Sequence, residues 1–163
     1  MKKKVLVMGV AGAGKSLGGG VIANALNAPF VDGDDFHPQC NLDKMREGVP
    51  LTDDDRRGWL KTLNQQFIQY DQLVLACSAL KPEYRNLLKE NNKELIIVYL
   101  QGSFETILSR HKKRQNHFFK GEKMLRSQFG TLVEPSNDEA IFVDIEQAVD
   151  PIVEQALMAI EKR

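Results

Sequence analysis

The chain has 163 residues, of which 42% are hydrophobic and 27% are charged, a composition typical of one soluble domain that is long enough to bury a core. Its 22 Lys and Arg residues balance its 22 Asp and Glu residues, and no segment has the ~18 apolar residues of a membrane span, so we expect neither a nucleic acid nor a membrane as partner. Its two cysteines, Cys40 and Cys77, form neither a disulfide framework nor a metal-binding spacing, which predicts a reduced, cytoplasmic protein.

Short apolar runs alternate with longer amphipathic ones along the chain. Several of the short runs are apolar throughout, which is typical of strands covered on both faces. These runs predict strands at residues 4–8, 29–31, 73–77, 95–100 and 140–144. Between them, apolar residues recur at helical spacing, most clearly from Val149 to Ile160. The alternation predicts a single α/β domain, with a parallel sheet and helices on both of its faces.

The first predicted strand leads directly into GVAGAGKS, residues 9–16, which fits the phosphate-loop pattern G-x-x-x-x-G-K-[ST]. Glycines in such a loop let successive backbone N–H groups turn inward around phosphate oxygens. We therefore expect Lys15 at the β- and γ-phosphates of a nucleotide and Ser16 as a ligand of Mg²⁺. The predicted nucleotide-binding residues of the loop are Gly9, Val10, Ala11, Gly12, Ala13, Gly14, Lys15 and Ser16.

The glycines after this loop allow a second interpretation. Residues 12–18 also read G-x-G-x-x-x-G, and Asp32 follows at about the 20-residue distance of a dinucleotide-binding fold. We favour the phosphate loop because Lys and Ser stand in its frame and no second half-domain follows for a nicotinamide. Gly18, Gly19 and Gly20 nevertheless fall in the first turns of the next helix, where each costs about 1 kcal/mol relative to alanine.

Three acids and a histidine follow the second predicted strand, in VDGDDFHP at residues 31–38. Asp32 and Asp34 are two positions apart, so strand-like alternation would point both toward the ligand crevice at the carboxyl edge of the sheet. This arrangement predicts Asp32 near Mg²⁺ and Asp34 at the hydroxyl that attacks phosphorus. We expect Asp35 to point into solvent. His37 is a candidate substrate contact, although a His-Pro pair can also only stiffen a loop.

Two further segments carry charge that could serve a reaction. TDDDRRGW, residues 52–59, predicts a helix start capped by Thr52 or an Asp, with Arg56 facing either an anionic acceptor or solvent. Residues 110–123 contain six Lys or Arg and predict a mobile lid at about 110–128, the alternative being a solvated surface. Within it, Arg110 and Arg114 are one helical turn apart and could reach the nucleotide together, with Arg114 as a catalytic candidate.

Longer motifs lie outside the phosphate loop. They are DGDxxHP from Asp32, NLDK from Asn41, DDDRxxWL from Asp53, CSALK at 77–81 followed by Tyr84 and Arg85, QFxTLxEP at 128–135 and VDI at 143–145. Together they resemble the gluconate kinases of the small bacterial type, which are similar to shikimate kinases. The chain departs from that pattern at residues 17–20, where relatives carry better helix formers, and at Asp35, where an apolar residue is usual.

The resemblance implies a P-loop kinase fold with a five-stranded parallel sheet, a mobile lid and an acceptor-binding region at about residues 34–70. It implies transfer of the γ-phosphate of ATP to the 6-hydroxyl of D-gluconate, with Mg²⁺, in an enzyme of a type that is commonly dimeric. Arg110 would stack on the adenine. The residues expected to bind the acceptor are Asp34, His37, Lys44, Arg56, Lys81 and Arg85. Kinases for shikimate or a nucleoside monophosphate, and a non-catalytic nucleotide-binding regulator, remain as alternatives.

Overall fold

The computed structural model describes residues 2–115, 122–147 and 149–163. In these ranges five strands form one sheet in the order β2-β3-β1-β4-β5, and every pairing is parallel. The strands are β1 (Lys4–Met8), β2 (Phe30–Asp32), β3 (Leu73–Ala76), β4 (Ile96–Gln101) and β5 (Ala140–Asp144). Each lies within one residue of the bounds that its apolar run predicts, so the predicted α/β fold with a parallel sheet is confirmed.

Helices connect the strands, as the alternating pattern predicts. They are α1 (Lys15–Leu26), α2 (Gln39–Arg46), α3 (Asp53–Gln69), α4 (Pro82–Lys89), α5 (Phe104–Gln115), α6 (Glu122–Thr131) and α7 (Val149–Glu161). A short 3-10 turn, Gly33–Phe36, joins β2 to α2. Within the described ranges, no helix is both long enough and apolar enough to cross a membrane.

The core lies on both faces of β1 and β3, whose side chains are almost completely buried. α3 covers one part of it with a stripe at helical spacing that includes Trp59, Leu63 and Phe67. α7 packs on β5 and α1. Because β1 and β3 are central, the loops that follow them open at the middle of the carboxyl edge, where ligands bind in parallel sheets.

The start of α3 is fixed by a capping box. The Thr52 hydroxyl accepts a hydrogen bond from the Asp55 backbone N–H (3.1 Å), and the Asp55 carboxylate accepts one from the Thr52 backbone N–H (2.9 Å). Asp53, Asp54 and Asp55 lie in the first turn, where the positive end of the helix favours acids. The predicted cap is therefore confirmed, and it fixes the position of the first turn of α3, after which Arg56 follows.

The three glycines in α1 are not equivalent. A Cβ on Gly19 would lie 2.7 Å from the Phe30 ring of β2, so this glycine allows the helix to pack closely on the sheet. A Cβ on Gly18 would make only ordinary contact with Leu100 at 3.9 Å, and one on Gly20 would meet nothing within 4 Å. Close packing therefore explains Gly19 alone.

This difference predicts opposite effects of alanine at neighbouring positions. We expect Gly20→Ala to raise the free energy of unfolding by about 0.5–1 kcal/mol, because alanine restricts the unfolded chain and favours the helix. The matched variant Gly19→Ala should lower it, since the Phe30 ring must move. Urea unfolding of both variants measures the difference. Equal effects would mean that the contact with Phe30 is unimportant.

Candidate active site

A cavity of about 560 Å³ opens at the carboxyl edge of the sheet. The loops after β1, β2 and β3 form its floor, and side chains of α3, α4 and α6 form its walls. Its lining includes Gly12, Gly14, Lys15, Ser16, Asp32, Asp34, His37, Arg56, Trp59, Tyr84, Met124 and Gln128. The structure thus brings the glycine-rich loop, the two acids and part of the predicted acceptor region around one space.

The loop between β1 and α1 has the backbone of a phosphate cradle. Gly12 (φ +86°) and Gly14 (φ +92°) adopt left-handed conformations that L side chains rarely take. The Lys15 ammonium group folds back and donates to the carbonyl of Val10 at 3.0 Å. Burial lowers the pKa of Lys15 from its ordinary value, while the carboxylates of Asp34 and Asp32 act in the opposite direction. A cation is therefore held inside the loop and beside the two acids.

Asp32 joins the loop to the second strand. Its Oδ2 accepts a hydrogen bond from the Ser16 hydroxyl (2.8 Å), and its Oδ1 accepts one from the Asp34 backbone N–H (3.0 Å). A hydroxyl and a carboxylate at the mouth of a phosphate loop are the hard oxygen ligands that suit Mg²⁺. Within the described residues, no cluster of three or more His, Cys, Asp or Glu could hold a metal. Mg²⁺ beside nucleotide phosphates needs no such cluster, because it usually keeps waters.

Asp34 reaches the cavity by a different route from the predicted one. Strand alternation does not continue to this residue, because β2 ends at Asp32 and Asp34 lies in the 3-10 turn. The turn, capped by the Asp32 carboxylate, carries Asp34 back over the same cavity. Its side chain is 69% exposed, so it is open to a ligand. The predicted strand-like alternation from Asp32 to Asp34 is therefore wrong. Asp35 is exposed and is absent from the lining, as expected.

His37 forms the wall beside Asp34. Its ring stacks on Trp59, with centroids 3.9 Å apart and planes at 18°, and only 8% of the residue is exposed. Its Nε2 lies 3.7 Å from Oδ1 of Asp34. Burial lowers the pKa of His37 below its ordinary value of 6.5, so the ring is neutral at pH 7. His37 therefore presents a neutral imidazole edge to the cavity.

A hydrogen-bonded chain of four residues joins the start of α3 to the start of α4 at one side of the cavity. Arg56 donates to the Tyr84 hydroxyl (2.9 Å), which in turn donates to Asp53, and Lys81 pairs with Asp53 at 2.9 Å. The bonds from Tyr84 and Lys81 hold the pKa of Asp53 below its ordinary value. Burial and the bond to Asp53 raise the pKa of Tyr84. Arg56 and Tyr84 line the cavity, whereas Lys81 is not part of the lining.

Two more predicted acceptor residues, Lys44 and Arg85, also lie outside the cavity lining. Lys44 pairs with Asp55 at 2.7 Å and lowers the pKa of that carboxyl to about 2, so it holds α2 against the start of α3. Arg85 has a side chain only 1% exposed, with its Nε 3.3 Å from the Glu139 carboxylate, and it donates to the carbonyl of Ala79 at 2.9 Å. The cavity lining includes neither residue. In this structure both side chains are bonded to these partners and do not contact the cavity.

The segment of the predicted lid is described in part. Arg110, which the resemblance expects to stack on the adenine, donates to the carbonyl of Ile145 in the loop after β5. Residues 116–121 and the side chain of Arg114 lie outside the described part of the chain, so the role of Arg114 and the mobility of the lid stay predictions.

Sequence reasoning missed two contacts of α5 and α6 with the phosphate loop. Nε2 of His111, in α5, lies 3.0 Å from the carbonyl oxygen of Ala11. The side-chain oxygen of Gln128, in α6, accepts from the Ala11 backbone N–H at 2.7 Å. Gln128 is the first residue of the QFxTLxEP motif, and this motif is the sequence feature that could have indicated a role for it. A Cβ on Gly12 would lie 2.3 Å from His111, so this glycine also makes room for the helix.

Three features define the class of protein as a P-loop kinase for small molecules. They are a phosphate loop after the central strand, a hydroxyl–carboxylate pair at the mouth of that loop and an exposed acid in the same cavity. Comparisons with known proteins agree. The family model described as shikimate kinase matches residues 11–159. The chain is 44% identical to thermoresistant gluconokinase and 38% identical to thermosensitive gluconokinase, both from Escherichia coli (strain K12). These matches cover 96% and 95% of this chain, and 93% and 86% of the relatives.

A solved structure supports the same assignment. The crystal structure of a gluconokinase from Sinorhizobium meliloti 1021 superposes with a TM-score of 0.93 at 39% identity, covering 98% of this chain and 92% of that one. The chain belongs to the shikimate kinase family and, within it, to the gluconokinases.

Proposed function

We propose that this enzyme transfers the γ-phosphoryl group of ATP to the 6-hydroxyl of D-gluconate, giving 6-phospho-D-gluconate and ADP. The names of the similar proteins support this acceptor. The observation that carries the proposal is the single cavity in which the phosphate loop, Asp34 and Arg56 meet. A sugar acid requires these three elements, since it offers a hydroxyl to phosphorylate and a carboxylate that a guanidinium can bind.

The phosphate side would be handled by the loop and Lys15. Backbone N–H groups of residues 9–16 and the N-terminal end of α1 would surround the phosphates. The ammonium group of Lys15 would stabilise the negative charge that develops on the transferred phosphoryl group. Ser16 and Asp32 would hold Mg²⁺, which when bound neutralises charge on the phosphate oxygens. The γ-phosphorus would then lie at the mouth of the loop, beside Asp34.

At the acceptor side, Asp34 would orient the hydroxyl and take its proton. A bond forms between the hydroxyl oxygen and the γ-phosphorus as the bond from phosphorus to the oxygen bridging the β- and γ-phosphates breaks, and ADP leaves. The proton of the hydroxyl passes to the Asp34 carboxylate. Because the transition state is loose, orientation of the hydroxyl accounts for much of this role. His37 and Arg56 would bind other oxygens of the acceptor.

The hydrogen bond between Arg56 and Tyr84 gives a test of the acceptor side. We expect Tyr84→Phe to raise KM for gluconate about tenfold, because loss of one hydrogen bond to a charged group costs about 1.5 kcal/mol and frees the guanidinium to move. KM for ATP should stay unchanged, since the hydrogen bonds of the Tyr84 hydroxyl are to Arg56 and Asp53 and not to the phosphate loop. Steady-state kinetics with each substrate varied separately measures both. An unchanged KM for gluconate would show that the hydrogen bond from Arg56 to the Tyr84 hydroxyl does not contribute to acceptor binding.

A panel of acceptors tests the proposal as a whole. ADP formation from MgATP should require D-gluconate and should be near background with shikimate or AMP. Activity with shikimate or AMP instead would assign another acceptor to the same site. Binding of ATP with no turnover of any acceptor would favour a nucleotide-binding regulator.

Three wider features complete the proposal. Residues 110–128 would close over the phosphates as a lid and exclude water. A cytoplasmic location would suit the free thiols of Cys40 and Cys77. A homodimer is expected from the resemblance.

A further inference from the structure

A buried asparagine, Asn41 in α2, holds the inner edge of His37. Asn41 is 0% exposed. Its Nδ2 donates to the backbone carbonyl of Asp55 at 2.9 Å and lies 3.2 Å from Nδ1 of His37. A carbonyl oxygen can only accept, so the amide must turn its NH₂ group, and not its oxygen, toward both partners. The second hydrogen of that NH₂ group therefore points at His37.

This orientation determines where the imidazole carries its proton. Nδ1 of His37 must accept a hydrogen bond from Asn41, so it has no hydrogen of its own. In the neutral ring the proton is then on Nε2, the nitrogen that faces Oδ1 of Asp34 across 3.7 Å. The other tautomer would place two donors against each other at Asn41 and a lone pair against the Asp34 carboxylate.

We propose that Asn41 is a positioning residue, which fixes the tautomer of His37 so that its Nε2–H is directed at one oxygen of the Asp34 carboxylate. That contact would leave the second oxygen of Asp34 for the acceptor hydroxyl. The inference rests on the proposed function only through the role of Asp34. The tautomer itself follows from Asn41 and the carbonyl of Asp55.

The surroundings hold the ring in the same position. Trp59 stacks on one face of His37, and its own Nε1–H donates to the carbonyl of Gly33 at 2.7 Å. The hydrogen bond holds the Trp59 ring at the start of the turn that carries Asp34, and the stacking holds the His37 ring against Trp59. The charged groups that act on the ring are the Asp34 carboxylate from the turn and the Arg56 guanidinium from α3. Arg56 opposes a positive charge on the imidazole, and Asp34 is the group that the Nε2–H can reach.

The tautomer can be read without any turnover. Long-range ¹H–¹⁵N NMR spectra distinguish a protonated from an unprotonated ring nitrogen for each of the three histidines. The signals of His37 are those that disappear in His37→Gln. In the wild-type protein near pH 7.5 we expect a protonated Nε2 and an unprotonated Nδ1. A protonated Nδ1 would overturn the proposal, whatever the protein phosphorylates.

Kinetics of a matched pair of variants test what the tautomer does. Asn41→Leu should lower kcat for gluconate at least about tenfold and leave KM for ATP unchanged, because the two hydrogen bonds that it removes lie at His37 and at the Asp55 carbonyl and not at the phosphate loop. Asn64 is the control, since it too is buried and its Nδ2 donates to two carbonyls, those of Leu88 and Glu90. Asn64→Leu should lose stability but keep kcat when compared at a temperature where both variants are folded.

The NMR spectrum of His37 and the kinetics of the two variants distinguish a failure of this proposal from a failure of the proposed function. Equal kcat values for the two folded variants, or an unchanged His37 spectrum in Asn41→Leu, would contradict the positioning role. If Asn41→Leu does not fold, the wild-type spectrum decides the tautomer alone. A wild-type protein that shows the expected tautomer but does not phosphorylate gluconate would contradict the proposed function instead.

Discussion

Asp34→Asn should bind ATP as the wild-type protein does and phosphorylate gluconate at least about 100-fold more slowly. Asparagine keeps the size of the side chain but can neither take the proton of the hydroxyl nor attract it with a full negative charge. The exposed position of Asp34 means that the fold does not depend on its charge. Single-turnover rates and ATP binding measured on the same preparation separate the two effects.

Asp35 provides the matched control for this experiment. It is the neighbouring acid in the same 3-10 turn, but it is exposed and does not line the cavity. Asp35→Asn should therefore retain turnover close to that of the wild type. Near-normal turnover in Asp34→Asn, or an equal loss in both variants, would remove Asp34 from the reaction and leave only a general effect of charge in the turn.

Lys15→Met should abolish most nucleotide binding and lower kcat/KM for ATP by on the order of 10³. The substitution removes the ammonium group that stabilises the negative charge on the transferred phosphoryl group. The structure adds an expectation about stability. Burial lowers the pKa of Lys15, so the folded protein holds this charge at a cost. An uncharged side chain of similar length should keep or raise the free energy of unfolding of the nucleotide-free protein.

Thermal unfolding with and without MgATP measures both parts of this expectation. The Tm of the wild-type protein should rise with MgATP, whereas that of Lys15→Met should not. Lys61→Met serves as the control, because Lys61 is exposed on α3 and does not line the cavity. A full rise in Tm for Lys15→Met would show that the backbone of the loop binds the nucleotide without this side chain.

Features that depend on nearby residues could be predicted from the sequence. Apolar runs gave each strand to within one residue, because a strand covered on both faces must be apolar along its length. The phosphate loop and the capping box at Thr52 follow in the same way, since each is built from residues within one short segment. Asp34 lines the cavity from a 3-10 turn and not through strand alternation, because the end of a strand is not visible in a pattern of alternation.

Features that depend on distant partners could not be predicted. Lys44 and Arg85 belong to motifs of the resemblance, but their partners Asp55 and Glu139 are brought to them only by the packing of helices. His111 and Gln128 lie 100 and 117 residues from Ala11. No periodicity or spacing connects residues so far apart.

The three glycines in α1 show the same difference between features that depend on nearby residues and features that depend on distant ones. Sequence alone gives its cost in helix stability but offers no reason for it. The structure supplies a reason for Gly19, which is the Phe30 ring on the neighbouring strand. Nothing in the structure explains Gly20.

A crystal structure with a non-hydrolysable ATP analogue, Mg²⁺ and D-gluconate would test the central claim most directly. We predict that the 6-hydroxyl of gluconate lies within hydrogen-bonding distance of the Asp34 carboxylate and in line with the γ-phosphorus, with the sugar-acid carboxylate at Arg56. Gluconate bound with its 6-hydroxyl away from Asp34, or outside the cavity between the phosphate loop and α3, would contradict the account.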